Sequence, residues 1–364
     1  MTIKDIVNTL ELWAPKAYAE DFDNVGLITG NQDWSCSGVL ITLDTLESIV
    51  DEAIEKKYNL IVSFHPIVFS GLKKFIGANY VEKALLKAIK NDIAIYAIHT
   101  ALDNHDKGVN YQIGQQLKLH KTEILIPKYD TLKKLTTYVP VASADKLLEK
   151  LNGSGAGAIG KYDACSFTLS GEGRFRGNET SNPKIGEIGE ITSVEEKQLH
   201  LLFPKHLEAK ILKTLFEEHP YEEVAYEITS LNNKNQNIGM GLVGILPKPM
   251  EPIKFLEYLK KRMQVTDIRH SKFIDKKIER VAVLGGSGSF AINAAKSTGA
   301  DVFITADLKY HQFFEAEDQI MLLDIGHYES EQFTKNLIYN FLSKKFPNFA
   351  IALSSINTNP INYF

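Results

Sequence analysis

The chain has 364 residues, about 2.4 times an ordinary domain length of ~150, so two domains are the first expectation and three the upper bound. Hydrophobic residues make up 44% and aromatics 10%, which supports sizeable cores and excludes a disordered chain. Forty-one Lys and Arg against 45 Asp and Glu leave a net charge of −4, which excludes nucleic-acid binding through general basicity. The sequence holds no apolar run of about 18 residues, so no membrane-spanning helix is expected. Asp5 and Glu11 interrupt the N-terminal stretch where a secretory signal needs unbroken apolar sequence. Cys36 and Cys165 are too few for a disulfide framework and suit a reducing compartment. The expectation is a soluble, cytoplasmic, multi-domain protein.

The first ~125 residues alternate strand and helix patterns. Apolar runs at 38–43 (GVLITL), 59–64 (NLIVSF) and 92–98 (DIAIYAI) are separated by amphipathic stretches, including VEKALLKAIKN. Short continuous apolar strands between such helices predict a parallel sheet covered on both faces. The same grammar returns near the C-terminus, in RVAVLGG (280–286), DVFITAD (301–307), QIMLLDIG (319–326) and a final helix whose Phe333, Leu337 and Phe341 form a core-facing stripe.

Between the halves the order changes. Strand patterns at 135–141, 164–171, 198–203 and 222–228 and helix patterns at 144–151 and 205–218 give β-α-β-β-α-β, the signature of a ferredoxin-like unit. The boundaries fall near 128 and 247, the second beside Pro247, Pro249 and Pro252. The predicted architecture is a split α/β domain with parallel-rich sheets (1–127 and 248–364) interrupted by a ferredoxin-like α+β insertion (128–247).

Ligands in open parallel sheets bind beyond the carboxyl ends of the strands. After NLIVS comes Phe64-His65-Pro66, after DIAIYAI comes His99 with Asp103, and after QIMLLDIG comes His327 with Glu331. Imidazole with Asp or Glu is a ligand set for divalent transition metals. On a helix, His327 and Glu331 would share one face. His120 and His200 read as surface groups, and His219 as a structural residue in a turn.

One glycine loop permits several readings. Gly285-Gly286-Ser287-Gly288 follows a strand and precedes a helix, Gly286-x-Gly288-x-x-Ala291 fits a dinucleotide fingerprint, and Asp307 lies 21 residues after Gly286. An NAD-linked oxidoreductase is therefore one alternative. A substrate phosphate held by backbone amides beside a metal is another, and a plain tight turn is a third.

FDNVGLITG (22–30), NLIVSFHPIVF (59–69), HTALDN (99–104), LGGSGS (284–289), TADLKYH (305–311) and DIGHYESE (324–331) together resemble the successive motifs of the GTP cyclohydrolase I type 2 homologs, the Ngg-interacting-factor-3-like family. That resemblance implies a dinuclear metal site, a toroidal homohexamer and a middle domain similar to the PII and CutA proteins. It also implies His65, Asp103, His327 and Glu331 as ligands, with Glu331 bridging. The family shows His-His-Pro where this chain has Phe64-His65-Pro66. Phenylalanine cannot bind a metal, so the expectation is one firm ion and a second that is weak or absent.

The leading functional expectation is a metal-dependent hydrolase acting on a nucleotide or related phosphorylated small molecule, with one or two divalent ions (Zn, Fe, Mn, Co or Ni) per chain. Glu331 or His99 would handle protons, and Asp23, Asn24 and Gly285–Ser289 would line the pocket and hold phosphate. The competing class is a non-catalytic metal-binding or regulatory oligomer. No membrane and no nucleic-acid partner is expected.

Overall fold

The computed structural model describes residues 1–363, with Gln236 described by its backbone only. The chain divides into two units, one formed by residues 1–126 with 237 onward and the other by residues 127–236. The first boundary lies beside the one expected. The second lies before 247, because the chain enters a long strand at Asn235 and runs through the proline-rich stretch to Met250.

In the split unit, strands β1 (Gly26–Thr29), β2 (Val39–Thr42), β3 (Leu60–Ser63), β4 (Ala94–Ala97) and β5 (His120–Lys128) precede the insertion. The insertion contributes β6 (Leu132–Pro140), β7 (Phe167–Arg176), β8 (Ile191–Pro204) and β9 (Tyr226–Leu231). After it come β10 (Asn235–Met250), β11 (Arg269–His270), β12 (Ile278–Ser287), β13 (Val302–Ala306), β14 (Met321–Asp324) and β15 (Ile351–Leu353).

Two sheets result in the split unit. One has the order β1-β4-β3-β2-β15, and the other β11-β14-β13-β12-β10-β5. Strands β15, β2, β3 and β4 run parallel, as do β12, β13 and β14. Every residue of β2, β3, β4, β13 and β14 is buried, which explains why they read as continuous apolar runs rather than alternating ones. A single apolar cluster joins side chains of both sheets, among them Ile41, Val62, Tyr96, Val281, Ile304 and Leu323. The carboxyl ends of parallel strands from both sheets can therefore supply one site.

Local chemistry sets the intervening helices. Helix Tyr80–Lys90 starts at Asn79, whose side chain accepts the Glu82 N–H. Helix Pro252–Met263 begins with proline, whose missing N–H costs nothing at that position. No helix among the described residues is long and apolar enough to cross a membrane.

The insertion is a four-stranded sheet of order β7-β8-β6-β9, with each neighbouring pair antiparallel. Helices Val141–Ser154 and Glu208–Glu218 complete the β-α-β-β-α-β order. Strand β7 extends to Arg176, past the strand pattern expected at 164–171, because ten residues pair in unbroken register with β8.

Glu52, buried on helix Glu47–Lys56, accepts the Ser354 hydroxyl at 2.5 Å and the Ser355 N–H and hydroxyl at 3.0 Å each. This carboxylate secures the chain just after β15. Glu52→Ala should lower stability by about 1–3 kcal/mol, the scale of stranding buried hydrogen-bonding groups. Urea unfolding that shows no change would contradict this role.

Candidate metal centre

His65 lies two residues beyond β3 and His327 three beyond β14, where it opens the short helix His327–Glu331. Gly326, at φ +89°, makes the entry to that helix; a Cβ there would meet the Glu329 carboxylate at 2.2 Å. One helical turn places His327 Nε2 3.3 Å from Glu331 Oε2, and His65 Nε2 approaches the same oxygen at 3.1 Å. Ligand atoms of His65, His327 and Glu331 all lie within 4.8 Å of one another.

These atoms lie at ion-pair distance but out of hydrogen-bonding alignment. Among the described residues, His65 Nε2, Glu331 Oε2 and Asp103 Oδ1 are buried with no hydrogen-bond partner. Buried polar groups are ordinarily paired, so a cluster of orphans facing one another indicates a missing common partner. Two imidazole nitrogens and a carboxylate oxygen are the donor set of a divalent transition metal, and the residues fit one.

The imidazoles are also oriented for this task. His65 Nδ1 donates to Asp44 Oδ1 at 2.8 Å, and His327 Nδ1 donates to Asp307 Oδ2 at 2.6 Å. A carboxylate on Nδ1 fixes the tautomer and directs Nε2 at the metal position. Thr358 in turn donates to Asp44 Oδ2 at 2.6 Å. Asp44, Asp307 and Thr358 carry no functional weight in the sequence reading beyond Asp307 as a dinucleotide acid. The structure instead gives Asp307 to His327. The available signal was an acid just past a strand end, shared by Asp44 after β2 and Asp307 after β13.

In the metal-free chain these charges act on one another. Burial alone would raise Glu331, which is 3% exposed, but His327 and His65 outweigh it and bring its carboxyl to about 2. Burial lowers His65 and His327, yet the facing carboxylates push them up to about 10 and about 9. Asp103 is half-buried with its Oδ1 shielded from solvent, and desolvation, then the Glu331 charge, hold it well above the usual carboxylate range.

Asp103 stands at the end of helix His99–Asp103, beside Glu331 on the same cavity wall. Phe64 is fully buried in the core that joins the two sheets. Its ring centroid lies 4.9 Å from that of His65 and 5.5 Å from that of His99. His99 lines the cavity, and its Nδ1 donates to Asp23 Oδ1 at 2.9 Å. Asp23 Oδ2 accepts the Thr100 N–H at 3.0 Å. Burial raises Asp23, but these bonds prevail and hold it at about 2. Asp23 thus stands behind His99 rather than on the cavity wall. Asn24 donates to Val68 O at 2.7 Å and ties down the loop after His65.

The glycine loop ends β12 against the ligands. Gly285 N–H donates to Asn110 Oδ1 at 3.0 Å, and Gly286 N–H donates to Ser330 Oγ at 2.9 Å. Both amides are therefore engaged within the protein. Gly286 has φ +68°, and a Cβ on it would lie 2.5 Å from Glu331 Oε1 and 3.3 Å from His327 Nε2. Ser287 lines the cavity, whereas a Cβ on Gly288 would press on Thr305 at 2.2 Å. What Gly286 demonstrably permits is the close approach of His327 and Glu331.

The model of the Duf34/NIF3 (NGG1p interacting factor 3) family matches residues 1–360, and the chain belongs to that family. It is 39% identical to the Bacillus subtilis (strain 168) GTP cyclohydrolase 1 type 2 homolog over 99% of this chain and 98% of the relative. A Staphylococcus epidermidis protein of the same description is 34% identical over 100% of both chains. Among solved structures, a Bacillus cereus protein related to NIF3 superposes with a TM-score of 0.88 at 36% identity, covering 100% of this chain and 99% of the other.

Two outcomes follow for the metal-free protein. Gly286→Ala should reduce metal affinity by at least about tenfold, comparable to losing an orienting group, while far-ultraviolet dichroism stays unchanged; unaltered affinity would contradict the packing argument. The raised imidazoles stabilise the metal-free fold fully below about 6.5, and this contribution is lost as pH rises through about 9 and about 10. Metal competes with those protons, so calorimetric affinity should rise from pH 6.5 to about 9 with proton release. Affinity that is flat across that range would refute the assignment.

Proposed function

We propose that this chain is a metal-dependent hydrolase that holds one divalent ion on His65, His327 and Glu331. The observation that supports it is the set of unpartnered ligand atoms, two imidazole nitrogens and one carboxylate oxygen, gathered at the carboxyl ends of β3 and β14. Zn, Fe, Mn, Co and Ni all suit this donor set. When bound, such an ion supplies Lewis acidity and a nucleophile at neutral pH.

The protein's own groups divide the remaining work. Asp44 and Asp307 hold the two imidazoles in the ligating tautomer. His99, fixed through Nδ1 by Asp23, keeps Nε2 for a proton at the cavity wall. Glu331 combines ligation with a position from which it can accept a proton. Asp103 is the remaining carboxylate of a second metal position whose histidine is replaced by Phe64, so a second ion binds weakly or not at all. The family relationship supports carrying over a homohexamer and a cytoplasmic location, and light scattering of the purified chain tests the assembly.

Metal content and turnover, measured in parallel on wild type, His65→Ala and Phe64→His, test the reading. We expect one tightly held metal per wild-type chain. His65→Ala should weaken binding by more than the ~10–100-fold typical of losing an orienting partner and abolish turnover. Phe64→His should add a second ion and raise activity. Two tightly held ions in the wild type would overturn the single-metal assignment. Retained metal without turnover on nucleotide, nucleoside and phosphoester panels would favour the regulatory alternative.

A further inference from the structure

The metal centre lies in a cavity of about 530 Å³, a size suited to a small organic molecule. Its chemistry is unusual for a nucleotide site. Among the described residues lining it there is no lysine and no arginine, while Asp44, Asp103, Glu329 and Glu331 all contribute. Polyphosphates are ordinarily held by guanidinium or ammonium groups or by free backbone amides at a helix start. The amides of Gly285 and Gly286 are already donated to Asn110 and Ser330, and the helix that follows has only six residues, Ile292–Ser297. The Asp44 and Glu329 carboxylates that also line the cavity would offset much of the charge a divalent ion brings, leaving little surplus for a chain of phosphates.

The rest of the wall favours a flat ring. Phe22, Phe69 and Phe290 line the cavity while remaining 64%, 55% and 61% exposed. The Phe22 and Phe69 ring centroids are 6.2 Å apart at an interplanar angle of 44°. Exposed aromatic side chains of this kind offer stacking surfaces to heteroaromatic bases irrespective of their sequence identity. Asn24 holds the two rings' loops together through its bond to Val68 O, which makes the pair a built feature of the cavity rather than two chance surface residues.

We infer that the substrate of this site is an uncharged nitrogen heteroaromatic ring, free or as its nucleoside, and that nucleoside triphosphates are disfavoured by the acidic wall, without lysine or arginine, around the metal. The inference rests on the hydrolase reading for the word substrate, and its ligand chemistry is tested independently by binding. The metal-loaded full-length chain is titrated calorimetrically with guanosine, adenosine and cytidine and with the magnesium complexes of their triphosphates. At least one nucleoside should bind at least tenfold more tightly than its own triphosphate. A Phe22→Ala/Phe69→Ala double variant should lose about tenfold in that affinity while metal content and thermal midpoint stay at wild-type values. Triphosphates that bind as tightly as or more tightly than their nucleosides, no binding by any nucleoside, or a double variant with unchanged affinity would each overturn the inference. Turnover of GTP together with tighter GTP binding would do so while leaving the hydrolase reading intact. Correct ranking without any turnover would preserve the ligand chemistry and remove the hydrolase.

Discussion

A buried carboxylate that faces two imidazoles is the constraint around which this protein is organised. Glu331 lies on a short helix of one sheet's connection, and His65 follows a strand of the other sheet. Their meeting requires the two sheets to share one apolar core, which they do. Without a metal, the cluster persists as mutually compensating charges, with Glu331 held low and both imidazoles held high. The site is thus an electrostatic unit in its own right, and a divalent ion held there would displace protons rather than fill a neutral hole.

Phe64 gives that unit a direction. The position next to His65 carries a ring buried in the inter-sheet core, so one side of the site is apolar and the other is lined by carboxylates. Asp103 sits between these regimes, half-buried with one oxygen shielded and unpartnered and its carboxyl held toward the neutral form. A neutral acid there can donate a proton where an ionised one would attract a cation.

Much of this was legible in the sequence because the relevant rules are local. Strand ends followed by His65, His99 and His327 were readable from apolar runs and the residues after them, and the β-α-β-β-α-β order of the insertion from pattern changes. The parts that escaped are those in which distant residues meet. The glycine loop looks like an anion cradle until its amides are seen to be taken by Asn110, 175 positions away, and Ser330, 44 away. Asp307 matched the spacing of a ribose-binding acid yet serves His327. Thr358 supports Asp44 across 314 positions, a pairing that no window of sequence can suggest. The second boundary of the insertion was misplaced for a related reason: prolines near 247 mark irregular chemistry, but β10 passes through them.

The position of the insertion has one further consequence. The chain leaves the split unit after β5 and returns into β10, and these strands are neighbours in the six-stranded sheet. The points of exit and re-entry therefore belong to adjoining strands, which a tight connection can join as easily as a whole folded unit can. His65, His327 and Glu331 and the carboxylates Asp44 and Asp307 that orient the imidazoles all belong to the split unit. In engineering terms the insertion is placed as a cassette: exchanging it leaves the chain path through His65, His327 and Glu331 unbroken.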